Sequence, residues 1–167
     1  LIDFLKDCTH VITALEVIDE NILSQLPELK VISKYGVGVD MIDMRALSNH
    51  NIRLGWVGGV NRRSVSELVI SFAISLLRNV ASSNREVISG IWQQNIGENL
   101  TGKTIGIIGC GYVGKDLVEL LQPFKCKIIV NDIRNYDEFY KRHNVISSTK
   151  EDLLAQSDIV SIHVPLD

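Results

Sequence analysis

The sequence is short of several things, and each shortage narrows what it can be. Cysteine occurs only at positions 8, 110 and 126, an odd number with no C-x-x-C pair. Neither a disulfide framework nor a cysteine-rich zinc site is written into it, and no metal is expected. The three cysteines read as small apolar fillers suited to a reducing compartment, so a cytoplasmic location is expected. No apolar run approaches the ~18 residues of a membrane span, and no membrane partner is expected. Basic residues are not in excess: 17 Lys and Arg stand against 20 Asp and Glu, a net charge of −3. Without a basic face, nucleic acid is not an expected partner. Repeats and low-complexity tracts are absent too, and the 167 residues suffice for one domain and part of another. The chain starts at Leu1 rather than Met, so the lack of a signal peptide carries little weight.

What is present centres on residues 104–117. A run of strand character, Ile105 to Ile108, feeds into Gly109-x-Gly111-x-x-Gly114, and a helical pattern follows through Val113, Leu117, Val118, Leu120 and Leu121. The first glycine suits a tight strand-to-helix turn, the second a close approach of a diphosphate, and the third close helix–strand packing. Unpaired N–H groups at the helix start, with the positive end of its dipole, attract an anion. A second strand, Cys126 to Asn131, ends in Asp132, eighteen residues past Gly114. A carboxylate there suits the hydroxyls of an adenosine ribose and repels a 2′-phosphate. The stretch predicts a dinucleotide site for NAD rather than NADP. The competing reading is a glycine-rich turn in some other α/β protein.

Before this centre, residues 1–56 alternate strand and helix, which implies a parallel sheet. Strands are predicted at Val11–Ala14, Lys30–Lys34 and Ile52–Trp56, with Asp19 capping a helix and a further helix over Asp43–His50. The loop Tyr35–Asp40 has Gly-x-Gly character. It reads either as an anion nest of successive amides or as a plain tight turn. Ser64 and Glu67 predict a capping box opening a helix to Val80. Val65, Leu68, Val69, Phe72, Ala73, Leu76, Leu77 and Val80 form its core stripe, while Ile70 and Ile74 lie opposite. A helix apolar nearly all round predicts burial on more than one side, between domains or in a homodimer. Residues 82–93 predict a more polar helix carrying Trp92. Ser148 and Glu151 predict a second capping box, and Asp158–Val164 another strand. Arg62 and Arg63 stand where the helix dipole disfavours cations. They read as solvated, or as meeting an anionic substrate.

Taken in order, these motifs resemble the D-isomer-specific 2-hydroxyacid dehydrogenases, the family of phosphoglycerate dehydrogenase and glyoxylate/hydroxypyruvate reductase. The resemblance rests on Leu29-Lys-Val-Ile with Tyr35–Asp40, on Gly59-Val-Asn61 through Val65-Ser-Glu67, and on Ser89-Gly-Ile-Trp92. The glycine fingerprint, Asp132 and His163-Val-Pro-Leu166 complete it. It implies a Rossmann-type doubly wound parallel sheet over 58–167, preceded by part of a smaller flavodoxin-like α/β substrate domain over 1–57. It implies that Gly109, Gly111, Tyr112, Val113 and Gly114 lie under the diphosphate of NAD and that Asp132 holds the ribose. Val164 and Pro165 would line the cofactor, and Val37 and Gly38 would offer amides to the substrate carboxylate. The implied reaction passes a hydride between nicotinamide and C2 of a small 2-hydroxy or 2-oxo acid, in a homodimer formed through the Ser64–Val80 helix.

Two departures qualify the resemblance. Gly58 replaces the family's usual proline. The family's substrate arginine and acid–histidine pair would lie beyond Asp167, so no catalytic residue is assigned here and residues 1–167 alone are expected to be inactive. His163, at a strand end beside the cofactor, reads as a residue that packs there or supports a neighbouring group rather than as a catalytic one, and His10, His50 and His143 as ordinary surface or edge residues. The alternative from another class is a non-catalytic NAD-binding or NAD-sensing protein of the same fold, like the family's corepressor relatives. A methyltransferase has a similar glycine loop, but the upstream motifs argue against it.

Overall fold

The computed structural model describes residues 1–165; Leu166, the end of the His-x-Pro-Leu stretch, and Asp167 lie outside the described residues. Two compact units divide after Val60, slightly beyond the boundary expected after position 57.

In the first unit α1 (Ile2–Leu5) leads into β1 (His10–Thr13), α2 (Glu20–Leu23), β2 (Val31–Lys34), α3 (Met44–Asn49) and β3 (Arg53–Gly55). The strands pair in parallel in the order β1-β2-β3. Asp19 caps α2 by accepting the Ile22 N–H at 3.0 Å, and Asp43 caps α3 through the N–H groups of Arg45 and Ala46. These carboxylates satisfy donors that helix starts leave orphaned. Leu23, Leu26, Ile32, Leu47 and Ile52 form the core beneath. His50, expected as an ordinary surface or edge residue, has a partner there: its Nε2 lies 2.7 Å from Glu20 Oε1, linking the end of α3 to the start of α2.

The second unit opens with α4 (Arg62–Leu77) and α5 (Val80–Ile88). Then come β4 (Thr104–Ile108), α6 (Tyr112–Leu121), a 3-10 turn at Gln122–Phe124, β5 (Lys127–Asn131) and α7 (Asp137–His143). β6 (Ile146–Ser147), α8 (Lys150–Gln156) and β7 (Ile159–Ile162) complete it. All pairings are parallel and the order is β6-β5-β4-β7. The chain therefore lays strands outward on one side of β4, then crosses to the other side for β7, making a topological switch between β4 and β7. Side chains alternate along β4. Ile105 and Ile107 join Leu117, Val118 and Ala73 in one core, while Gly106 faces Leu153 of α8 across the sheet. Helices on both faces of a parallel sheet are the doubly wound arrangement the sequence predicted.

Four local expectations fail for identifiable reasons. α4 begins at Arg62, with Asn61 before it, so Ser64 already lies inside the helix and the Ser64–Glu67 box does not cap it. α4 also stops at Leu77, because Asn79 adopts a left-handed conformation (φ 54°) and α5 leaves at 61°. Val80 thus starts the next helix. α5 ends at Ile88 in a Schellman closure, with Ile91 N–H reaching Glu86 O and Gly90 at φ 82°, so Trp92 lies outside it and is exposed. The cap of α8 is Thr149, not Ser148; its hydroxyl accepts the Asp152 N–H. The sequence reading also missed β6, a two-residue edge strand too short to carry a pattern.

The expected core stripe of α4 is split in two. Val69, Ile70, Ala73 and Leu77 pack into the core, whereas Leu68, Phe72 and Leu76 are 51%, 58% and 75% exposed. The latter three recur every four residues and form one open apolar face. Among the described residues no single helix is long and apolar enough to cross a membrane.

Candidate functional site

β4 delivers the chain to Gly109, which turns at φ 94° and is held by its N–H on Asn131 O at 2.8 Å. A Cβ at Gly109 would stand 2.5 Å from the carbonyl oxygen of His163, so the turn and the exit of β7 touch through bare backbone. A Cβ at Gly114 would run into the Gly109 carbonyl, which is how α6 lies so close to its own strand. Gly111 differs: nothing lies within 4 Å of where its Cβ would be. It occupies the N-cap position of α6 without a side-chain cap. The outer glycines are thus closed by packing and the middle one faces open space. That cradle fits a diphosphate lying against the helix start.

Gly109, Gly111, Tyr112, Asp132, Val164 and Pro165 line one cleft of about 620 Å3 at the C-terminal end of the sheet. Lys115, Ile133, Arg134, Tyr136 and His163 complete its wall. Val113 and Gly114 are not on its surface. They form the helix backbone beneath it, and the Val113 carbonyl accepts a hydrogen bond from the buried Ser66 hydroxyl of α4 at 3.3 Å. Asp132 is engaged twice: Oδ2 accepts the Cys110 N–H at 2.6 Å and Oδ1 the Arg134 N–H at 2.8 Å. Each carboxylate oxygen keeps acceptor capacity for a further donor.

Burial sets the electrostatics around this cleft. It pushes the Cys110 thiol up to about 11, which the nearby Lys115 charge opposes and Asp132 reinforces. Cys110 is therefore a neutral packing group at pH 7. Burial also lowers the His163 imidazole below its usual 6.5, favouring the neutral ring. Its Nε2 lies 2.9 Å from the Ser161 hydroxyl, with no carboxylate partner among the described residues.

Sequence reasoning missed Asp116. It is 5% exposed, with Arg63 Nη2 at 3.1 Å and Arg62 Nε at 3.7 Å. The two arginines that read as solvated thus hold a buried anion and fix the start of α4 on α6. A signal was available: Asp116 falls on the apolar side of α6, three residues after Val113 and next to Leu117.

Val37 and Gly38 belong to the other unit, in the loop after β2. Gly36 has φ 118°, and the Trp56 indole N–H donates to the Val37 carbonyl at 3.1 Å. The exposed Asp40 carboxylate folds back beside Gly38.

A glycine turn at the switch point of a parallel sheet, with a carboxylate at the end of the neighbouring strand, defines a dinucleotide-binding α/β domain. Residues 70–167 match the D-isomer specific 2-hydroxyacid dehydrogenase, NAD binding domain, and the chain belongs to that family. Its cofactor is NAD. The chain is 34% identical over 156 residues to a glyoxylate reductase of Thermofilum pendens, covering 89% of this chain and 46% of that protein. Among solved structures it resembles the NAD-dependent formate dehydrogenase from Staphylococcus aureus in complex with NAD. That likeness has a TM-score of 0.81 and 30% identity, over 99% of this chain and 51% of that one. D-lactate dehydrogenase from Aquifex aeolicus, complexed with NAD and lactic acid, shares the fold. Its TM-score is 0.90 at 23% identity, over 100% of this chain and 51% of that one. The chain spans about half the length of the curated relatives it matches.

Proposed function

We propose that the whole protein is an NAD-dependent oxidoreductase acting between the C2 carbon of a small 2-hydroxy acid and its 2-oxo counterpart. The observation that carries this is the open space at Gly111, between two closed glycines and in one cleft with Asp132. In this reading the backbone of Gly109, Gly111 and Tyr112 holds the diphosphate at the positive end of α6, with Val113 and Gly114 forming the helix turn beneath it. Asp132 accepts the adenosine ribose hydroxyls, and Val164 and Pro165 form the apolar wall. When bound, NAD(H) supplies the hydride acceptor or donor.

Val37 and Gly38 give the substrate carboxylate its amides. Carbonyl and N–H of one trans peptide point in opposite directions. The Trp56 bond to the Val37 carbonyl therefore sets the direction of the Gly38 N–H. The open apolar face of α4 supports a homodimer, since Leu68, Phe72 and Leu76 present the contiguous surface that a two-fold partner buries. The cysteines fit a cytoplasmic protein.

The deciding experiment follows NADH oxidation by the full-length protein with glyoxylate, hydroxypyruvate and pyruvate. Turnover of at least one supports the reading. Tight NADH binding with no turnover of any short 2-oxo acid sinks the enzymatic part and favours an NAD-sensing role.

A further inference from the structure

Three polar side chains are buried among the described residues, and two of them, Ser66 and Asp116, lie where the starts of α4 and α6 meet. Farther along, the two helices join one apolar cluster, to which Val69 and Ala73 contribute from α4 and Leu117 and Val118 from α6. Arg63 and Arg62 hold Asp116 from the α4 side. Three residues before Asp116, and so on the same face of α6, the Val113 carbonyl accepts the Ser66 hydroxyl at 3.3 Å. A serine inside a helix ordinarily bonds back to the carbonyl four residues earlier, and Ser66 does so with Arg62 at 3.0 Å. Its second acceptor, on another helix, sets it apart. The Lys115 N–H bonds back to the carbonyl of the N-cap residue Gly111 at 3.0 Å. The N–H groups ahead of it, Gly114 included, face the helix start without an intrahelical partner.

We propose that Ser66 is a positioning residue for the dinucleotide, acting through the peptide between Val113 and Gly114. The inference rests on the cofactor reading above, in which the diphosphate lies at the start of α6. Carbonyl and N–H of a trans peptide point in opposite directions. The Gly114 N–H is therefore directed at the helix start from beneath the cleft, and the carbonyl behind it is the one that Ser66 meets. A hydrogen bond at the carbonyl end polarises the peptide and strengthens its positive end. An anion at the helix start polarises the same peptide from the other side, which makes the Val113 carbonyl the stronger acceptor. The single Ser66 hydrogen is then drawn from the Arg62 carbonyl toward Val113, so the diphosphate and the hydroxyl of α4 support each other. The Arg63–Asp116 pair keys the two helices, keeping that carbonyl within reach of the hydroxyl.

The test compares three ligands on the full-length protein: NADH, ADP, which keeps the diphosphate, and adenosine, which lacks it. NADH is titrated by fluorescence and the other two by NMR shift changes. Ser66→Ala should weaken NADH and ADP alike, by about two- to fivefold, the lower part of what one neutral hydrogen bond carries. Adenosine binding should not change. Ser66→Cys, which keeps a weak donor in similar volume, should fall between parent and Ser66→Ala. Circular dichroism confirms that each variant is folded, and if Ser66→Ala is not, Ser66→Cys carries the same comparison. A folded variant that binds NADH and ADP as the parent does refutes the positioning role and leaves the cofactor reading standing. Equal weakening of all three ligands refutes it too, since that is the mark of a loosened fold rather than of a misplaced diphosphate. A parent protein that binds neither NADH nor ADP overturns the cofactor reading and the role of Ser66 with it.

Discussion

The carboxylate of Asp132 accepts the backbone N–H of Cys110 at 2.6 Å, so the residue at the end of β5 also pins the middle of the glycine turn. Asp132→Ala leaves that donor without its partner. The expected loss of stability is about 1–3 kcal/mol, with Asp132→Asn losing less. Urea unfolding compares the two, and amide hydrogen exchange at Cys110 reports the bond itself. Equal stability of both variants, with unchanged exchange, would show that the bond contributes nothing.

The fingerprint glycines should separate into two classes. Gly114→Ala forces a Cβ into the Gly109 carbonyl, and should destabilise the fold by about 1–3 kcal/mol as an overpacked site. Gly111→Ala meets open space. Its effect on stability should stay within about 1 kcal/mol, while NADH binding weakens by about tenfold or more because the diphosphate approaches there. Thermal melts with NADH titration check both. A Gly111→Ala protein that binds NADH normally counts against the placement of the diphosphate.

The contrast shows what can be read from sequence. The strand, turn, helix and acid from Thr104 to Asp132 were legible because each is a local pattern of period, glycine spacing or charge. Asp19 and Asp43 were legible as caps for the same reason. The start of α4 was not, since Ser64 and Glu67 make a plausible box while Asn61 starts the helix. The pairing of Asp116 with Arg63 joins residues far apart in sequence, and only the docking of α6 on α4 brings them together. The split of the α4 stripe is likewise tertiary, because Phe72 and Ala73 carry the same periodic signal and end on different surfaces.

Asp116 gives a sharper stability test than any surface charge. Arg63→Met leaves a nearly buried carboxylate with the more distant Arg62. The loss should fall between the ~1 kcal/mol of an exposed pair and the ~3–5 kcal/mol of a fully buried one. Combining it with Asp116→Met should recover much of the loss. A double variant no better than Arg63→Met alone would mean that the carboxylate is not the source of the penalty.

Acid sensitivity should trace in part to His163. Its folded pKa lies below the ordinary 6.5, because burial penalises the imidazolium. Below 6.5 the unfolded chain takes up the proton first, so stability falls as the pH drops and levels off once the folded ring is protonated too. His163→Asn should flatten the stability–pH curve in that window and leave it unchanged above pH 7. A mutant curve parallel to the parent's would assign the slope to other groups.

The open face of α4 predicts association. Leu76→Glu, on the most exposed of its three residues, should convert a homodimer to monomer in sedimentation without unfolding it. A parent protein already monomeric at micromolar concentration contradicts the dimer.

The strand order has a consequence in time as well as space. β4 and β5 are joined through a single helix, so their pairing closes a short loop. β7 reaches the far side of β4 only after α7, β6 and α8 have been made. Longer loops close at greater entropic expense, and non-local pairings form late. Among the described residues, the wall contributed by His163, Val164 and Pro165 is therefore the last part of the cleft to assemble. A chain emerging from the ribosome shows its glycine turn well before β7 brings His163, Val164 and Pro165 against it, and the cofactor closes onto strands already paired rather than acting as a template for them.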